Sequence, residues 1–386
     1  MIETRDESFP DIRDSVRKLC AKFPGEYWRA LDRERTYPTD FVAALTRVGF
    51  LSVLIPEEFG GSGLGLGAAC AILEEIHRSG GNAAACHAQM YTMGTILRHG
   101  SPAQKQQYLP KIARGDLRLQ AFGVTEPTSG TDTTRIATFA KRDGDRYIVN
   151  GQKIWISRAE YSDLLLLLAR TSPRNDDKPG DGMSVFLVDL RDSVGKGLTI
   201  RPIHTMINHA TTELFFDDLA VPAANLIGEE GRGFRYILDG MNAERILIAA
   251  ECIGDGRFFI DRAASYAAER QVFGRPIGEN QGVQFPIARA YVQATAAAAM
   301  VAKAAVLFDS GQACGTEANM AKLLASEASW FAADMCLQTH GGFGFAEEFD
   351  IERKFRETRL YQVAPISTNL ILSHVATHVL KLPKSF

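Results

Sequence analysis

The chain has 386 residues, 46% of them hydrophobic, with 43 Lys and Arg against 46 Asp and Glu, a formal net charge of −3. One core rarely serves so long a chain, so two or three domains are expected. The near-neutral balance gives no footprint for nucleic acid, and no run approaches the roughly 18 uninterrupted apolar residues of a membrane span, so neither partner is expected. Around Glu3, Asp6 and Glu7 the N-terminus has no basic or apolar leader pattern, which makes the cytoplasm the expected compartment. The six cysteines form no CxxC and the eight histidines no HExxH, so neither a disulfide frame nor a zinc site is expected.

Residues 1–118 read as helical. Ile12, Val16, Leu19, Cys20 and Phe23 keep a helical period, as do Phe41, Leu45 and Val48 behind a cap at Thr39, with Gly49 as the stop. The loop 60–67 leads into Gly63-Leu64-Gly65-Leu66-Gly67-Ala68, a match to the GxGxxA dinucleotide fingerprint. That fingerprint needs a strand before it and an acid about 20 residues on, where this chain reads Gly81-Asn82-Ala83; a flexible loop is the expectation. From 119 to 228 the texture is β. Tyr147-Ile148-Val149, then Asn150-Gly151, then 152–157 predict a hairpin with a type I′ turn. Residues 164–169, 184–188, 198–203 and 213–216 are further strands, with a polar loop over 171–183. From 229 to 386, long helices are predicted over 233–269, 281–310 and 316–339, which suits an antiparallel bundle.

Phe234, Ile237, Met241, Glu244, Ile248 and Cys252 recur at steps of three or four, so Glu244 shares a helix face with apolar groups. A carboxylate there is costly to ionise. It is either paired to a cation as structural glue or held as a proton acceptor of raised pKa. Three further clusters also have two readings. The run Phe122-Gly123-Val124-Thr125-Glu126-Pro127-Thr128-Ser129-Gly130-Thr131-Asp132 suits an oxygen-rich ligand or a tight polar turn. Trp155 suits a flat ring stacked on its face, with the Ser157 hydroxyl at the ring's edge, or a place in a strand's core. The glycine-bearing segments 270–277 and 338–344 suit close approach to a ligand, with Arg270 on a pyrophosphate, or plain helix ends.

Taken together, these clusters are similar to the motifs of acyl-CoA dehydrogenase flavoproteins. The resemblance runs through Val124-Thr125-Glu126-Pro127 to Asp132 and Asn150-Gly151-Gln152-Lys153-Ile154-Trp155-Ile156-Ser157. It continues through Glu269-Arg270-Gln271-Val272-Phe273-Gly274, 338–344 and 356–362, in order and over essentially the whole chain. It implies an α+β multidomain fold: an N-terminal helical domain (1–118), a central barrel-like β domain (119–228) and a C-terminal four-helix bundle (229–386). It also implies FAD as cofactor and a homo-oligomer, dimer or tetramer.

Residue by residue, the resemblance places Phe122, Val124, Thr125 and Thr131 on the flavin, with Thr131 also near the substrate thioester. Trp155 and Ile156 lie against the isoalloxazine, and Ser157 bonds near its N5. Arg270, Gln271, Val272, Phe273, Asn280 and Gln281 bind FAD. Gln338, Thr339, His340, Gly341 and Gly342 reach the flavin of a neighbouring subunit, and Ser367, Thr368 and Asn369 form a further flavin-contacting stretch.

Most family members carry the catalytic Glu where this chain has Pro365, which cannot accept a proton. Isovaleryl-CoA and long-chain-type members place it on the bundle helix in a Glu-Arg pair, as in Glu244-Arg245. The implied reaction is α,β-dehydrogenation of an acyl thioester. Glu244 takes the α-proton, the β-hydride leaves to flavin N5, and the Ile366 amide with an FAD hydroxyl steadies the thioester oxygen. Asn242 stands where an Asp often contacts the pantetheine arm, while Arg245 is retained. The expected substrate is an acyl-CoA of short or branched chain, with a carrier-protein thioester as the alternative. His87 and Tyr91 border the acyl pocket by family position, or point elsewhere. Electron-transferring flavoprotein is the implied acceptor. Rival readings are an oxidase or desulfinase on the same fold, and a flavin-binding protein without turnover.

Overall fold

The computed structural model describes residues 8–384. In chain order the helices are α1 (Pro10–Cys20), α2 (Gly25–Glu34), α3 (Thr39–Arg47), α4 (Leu66–Arg78), α5 (Ala88–His99) and α6 (Pro102–Arg114). Strands β1 (Leu119–Gly123), β2 (Phe139–Asp143), β3 (Arg146–Ser157), β4 (Leu164–Arg170) and β5 (Met183–Asp189) follow. Then come α7 (Leu190–Ser193), β6 (Leu198–Pro202), β7 (Thr211–Pro222), β8 (Leu226–Ile227) and α8 (Gly233–Glu269). The short pair β9 (Gln271–Val272) and β10 (Arg275–Pro276) leads into α9 (Gln281–Asp309), α10 (Gly315–His340), α11 (Ile351–Arg359) and α12 (Thr368–His374). By contacts the chain forms two units, one of 35–64 with 84–241, the other of the described residues up to 34 with 65–83 and 242 onward.

The first unit is built on an eight-stranded sheet of order β6-β7-β3-β2-β4-β5-β8, with β1 paired in parallel to β4. β4 explains why its sequence is a continuous apolar run rather than an alternation. Leu164, Leu166 and Leu168 face Met93, Ile96, Leu109 and Ile112 of α5 and α6. Leu165, Leu167 and Ala169 face Tyr147, Val149, Phe186 and Phe216. A strand covered on both faces has no solvent side to alternate with.

Asn150-Gly151 is not a hairpin turn. Both residues lie inside the single twelve-residue strand β3, at a bulge where the register against β7 shifts. Asn150 bridges strands instead, donating from Nδ2 to Asp218 Oδ1 at 2.9 Å and accepting the Asp218 backbone N–H at 2.9 Å. Gly151, at φ 144°, sits so close to Thr138 that a Cβ would meet its side chain at 2.6 Å. The real turn is Gly144-Asp145, between the paired residues Asp143 and Arg146, with Gly144 at φ 60°. Thr39 is likewise the first residue of α3 rather than its cap; Pro38 holds the cap position and accepts Val42 N–H through its carbonyl.

The second unit is helical. α9 and α10 pack together, and Phe258, Phe259 and Ala263 of α8 share a core with Ala290, Ala294, Ala332 and Cys336. By length and composition α9 could cross a membrane; its stripe Ala290, Ala294, Ala297, Val301, Ala304 and Ala305 is buried, while most of the helix is not. The glycine-rich segment is a loop up to Gly65, and the helix start that follows it is no phosphate cradle. Gly63 and Leu64 donate their amides to Ile55 and Val53 carbonyls at 2.8 and 2.9 Å. The start of α4 is already occupied by an internal anion: Leu66 and Gly67 amides donate to the Asp309 carboxylate at 2.6 and 3.1 Å. Two amide bonds and the helix dipole share that one charge, so Asp309→Ala should cost about 1–2 kcal/mol, read as a lowered unfolding midpoint at constant m.

Candidate active site

Within the sheet unit, the motif after β1 is tied to the end of β3 by a buried ion pair. Lys153 Nζ donates to Glu126 Oε1 at 2.8 Å and to the Val124 carbonyl at 2.9 Å. Glu126 also accepts the Ala137 and Thr138 amides at 2.6 and 3.0 Å. Burial works to raise the Glu126 carboxyl, but the Lys153 charge and these bonds outweigh it and hold it below the usual range. Burial pushes Lys153 down to about 8, so it stays protonated at neutral pH. Sequence reading missed this clamp. Its signal was a lysine at an inward position of an otherwise apolar strand face.

One step further, Ile154 donates its amide to the Thr125 carbonyl at 2.9 Å, and the register of β3 against β7 slips between Lys153 and Ile156. The slip puts Trp155 at φ 61° with 57% of its surface exposed. It is not a core tryptophan. A left-handed backbone at a non-glycine residue costs roughly 1–2 kcal/mol, and an exposed indole forgoes about 2 kcal/mol of burial. A flat ligand lying over the ring would offset both costs. Val124 and Ile156 turn their side chains into the sheet cores, so only their backbones face outward. Phe122 is partly buried, Thr125 and Ser157 are half-buried, and Thr131 is exposed.

In the helical unit, Glu244 is buried at 8% exposure on α8, in a run where Ile237, Ala243, Ile248 and Cys252 are also buried. Arg245 donates from Nη1 to Asn242 Oδ1 at 3.1 Å. Burial lowers the Arg245 pKa, opposed by the charge of Glu244 beside it. Pro365 follows a cis peptide bond. The next residue, Ile366, is fixed by Lys322, whose buried ammonium donates to the Ile366 carbonyl at 2.8 Å. Ser367 caps α12 by accepting the Leu370 amide at 3.3 Å, which puts Thr368 and Asn369 in its first turn.

The structure brings the two helix-end segments together. The Arg270 guanidinium lies over the Phe343 ring at 5.6 Å. Gln271, Val272, Phe273, Asn280, Gln281, Gln338, Gly341 and Gly342 are exposed around it, and Thr339 is half-buried. Gly341 has φ 59° with nothing within 4 Å of where a Cβ would be, open room for a ligand's approach. Two side chains assigned to the cofactor are engaged locally. The His340 ring stacks on Tyr266 at 4.2 Å and bonds the Cys336 carbonyl at 2.8 Å, so it faces its own bundle. Asn280 is spent on Ile277 and Arg275 within its turn.

In the sheet unit, an exposed indole at a bulge beside a clamped hydroxyl-rich loop suits the face of a flat ring. In the helical unit, an arginine beside open glycines suits a pyrophosphate. Each taken by itself is chemistry that a flavin dinucleotide offers. The acyl-CoA dehydrogenase N-terminal, middle and C-terminal domain models match residues 6–116, 121–219 and 231–380. An acyl-CoA dehydrogenase of Mycobacterium bovis, fadE12, is 34% identical over 97% of this chain and 96% of its own. The solved glutaryl-coenzyme A dehydrogenase–glutaryl-CoA complex superposes with TM-score 0.90 at 30% identity, covering 100% of this chain and 98% of that one. An FAD complex of PigA gives TM-score 0.90 at 25% identity, over 99% of this chain and 100% of that one. The chain belongs to the acyl-CoA dehydrogenase family, with that family's three-domain fold and FAD cofactor.

Proposed function

We propose that the chain desaturates an acyl thioester between Cα and Cβ, with Glu244 as the base. The observation that carries this reading is a carboxylate buried on the apolar face of α8, next to Arg245, in a chain whose 361–367 segment offers proline rather than an acid. Bound FAD supplies the redox chemistry, accepting the hydride that leaves Cβ. Glu244 takes the α-proton. The Ile366 amide, on a residue fixed by Lys322, donates to the thioester oxygen as charge builds there. Trp155 and Ser157 place the flavin ring, and Arg270 holds its pyrophosphate.

Coenzyme A is the proposed carrier, with Asn242 and Arg245 on its pantetheine arm and a short or branched acyl group. Electron-transferring flavoprotein is the proposed acceptor and the cytoplasm the compartment. A homo-oligomer accounts for the exposed apolar side chains Phe273, Phe285, Val292 and Val306 in the helical unit. The test is anaerobic bleaching of the bound flavin by a panel of acyl-CoAs. Bleaching by at least one short or branched member is expected. No bleaching by any acyl-CoA or acyl-carrier thioester would reject the activity, and bleaching by carrier-bound acyl groups alone would reject coenzyme A.

A further inference from the structure

Among the described residues four arginines are buried, and three have evident reasons to be. Arg13 pairs with Glu74 and Glu75, Arg353 with Asp350 and Glu357, and Arg170 donates to the carbonyls of Thr134, Ile136, Pro179 and Asp181. Arg158 is different. It is 3% exposed, yet among the described residues no carboxylate lies within ion-pairing distance of it. Its Nε is buried without a hydrogen bond, and among the described residues its one side-chain hydrogen bond is that of Nη1 with His209 Nε2 at 3.5 Å. His209 does not neutralise it. Burial, then the Arg158 charge, then His87 push the His209 pKa well down, so the imidazole stays neutral. A guanidinium withdrawn from water without an anion is costly by several kcal/mol in general.

The backbone repeats the argument. Arg158 sits at φ 62°, a left-handed conformation that glycine and asparagine accept far more readily. A side chain held against both penalties is a reason to look for a ligand.

Its surroundings say which ligand. Arg158 directly follows Ser157 at the end of β3. Beside His209 lies His87, whose ring is 5.8 Å from Tyr91, and Tyr91 meets the edge of Phe122 at 6.2 Å. Tyr37, stacked on Tyr161 at 4.5 Å, also feels the Arg158 charge. These residues run from the Phe122 and Ser157 positions to Arg158, and none of them is an acid. A carboxylate carries one charge and two coplanar oxygens, which match the guanidinium fork.

We propose that Arg158 is the anion-binding end of the acyl pocket and that the acyl group it receives terminates in a carboxylate. This rests on the dehydrogenase reading above and narrows its substrate class to ω-carboxyacyl thioesters. Two measurements test it. The first compares flavin bleaching of the wild-type holoenzyme by glutaryl- and adipoyl-CoA with bleaching by pentanoyl- and hexanoyl-CoA. The second repeats the comparison in Arg158→Gln and Arg158→Lys, and reads thioester affinity without turnover in the Glu244→Gln background from the flavin spectrum.

The wild type should favour the carboxylated partner of each pair. Arg158→Gln should reduce that preference about a hundredfold, and Arg158→Lys should retain part of it, as expected for one charged hydrogen-bonded contact. A wild-type preference for the neutral acyl groups overturns the assignment. So does an equal loss for both classes in Arg158→Gln, or loss of FAD from that variant, which would place the cation on the cofactor. If Arg158→Gln does not fold, the wild-type comparison alone decides. Failure of the dehydrogenase reading looks different: no thioester of either class bleaches the wild type.

Discussion

Glu244→Gln protein should purify yellow and stay yellow when an acyl thioester is added without oxygen, with flavin reduction slowed by about a thousandfold or more. The substitution keeps the shape of the side chain and removes only its ability to accept a proton. FAD retention and thioester affinity should therefore survive, and the loss should fall on the chemical step rather than on binding. Glu244 stands among buried Ile237, Ala243 and Ile248 on α8, so a glutamine there meets the same apolar surroundings without a charge to desolvate. Stopped-flow reduction with a spectral titration separates the two quantities. A variant that reduces its flavin at the wild-type rate would remove Glu244 from the chemistry.

Lys153→Met should cost about 3–5 kcal/mol, a fall of order 10 °C in melting temperature, and should loosen FAD. The stem of the side chain is replaced, but Glu126 is left as a buried charge with two amides and no cation. Adding Glu126→Gln should recover part of the loss, a coupling that a double-mutant cycle reads directly. The pH dependence follows from the same pair. The Glu126 carboxyl is held below its ordinary value in the folded chain, so its contribution is complete above about pH 4.5 and is lost as pH falls through the folded pKa. Stability measured from pH 7 to pH 3 should therefore fall less steeply in Lys153→Met than in the wild type.

The long helices were legible because nothing competes with a sustained 3.6-residue period: the span 233–269 is α8 residue for residue. Glu244 was legible for the same reason, since a charge on an apolar stripe is visible without coordinates. Asn150-Gly151 misled because its turn preference is local while its role is not. Asn150 reaches Asp218, 68 residues away, and that cross-strand exchange overrides the turn. The glycine-rich match was set aside from sequence for want of a following acid, and the structure adds that its helix start is claimed by Asp309 from the far end of α9. The settings of Lys153, Lys322 and Arg158 were illegible. A buried cation's meaning lies in what faces it: Lys153 faces Glu126, Lys322 a carbonyl, and Arg158, among the described residues, a histidine and no paired acid.

α8 runs unbroken for 37 residues, about 55 Å at the helical rise, and carries Glu244 in its second quarter. Such a rod works like a combination lock. Each residue turns the shaft by about 100°, so adding or deleting one residue between Ile237 and Glu244 would swing the carboxylate to another side while leaving the helix intact. An insertion in an exposed loop such as 171–182, by contrast, would leave the acid at its angular setting on the shaft.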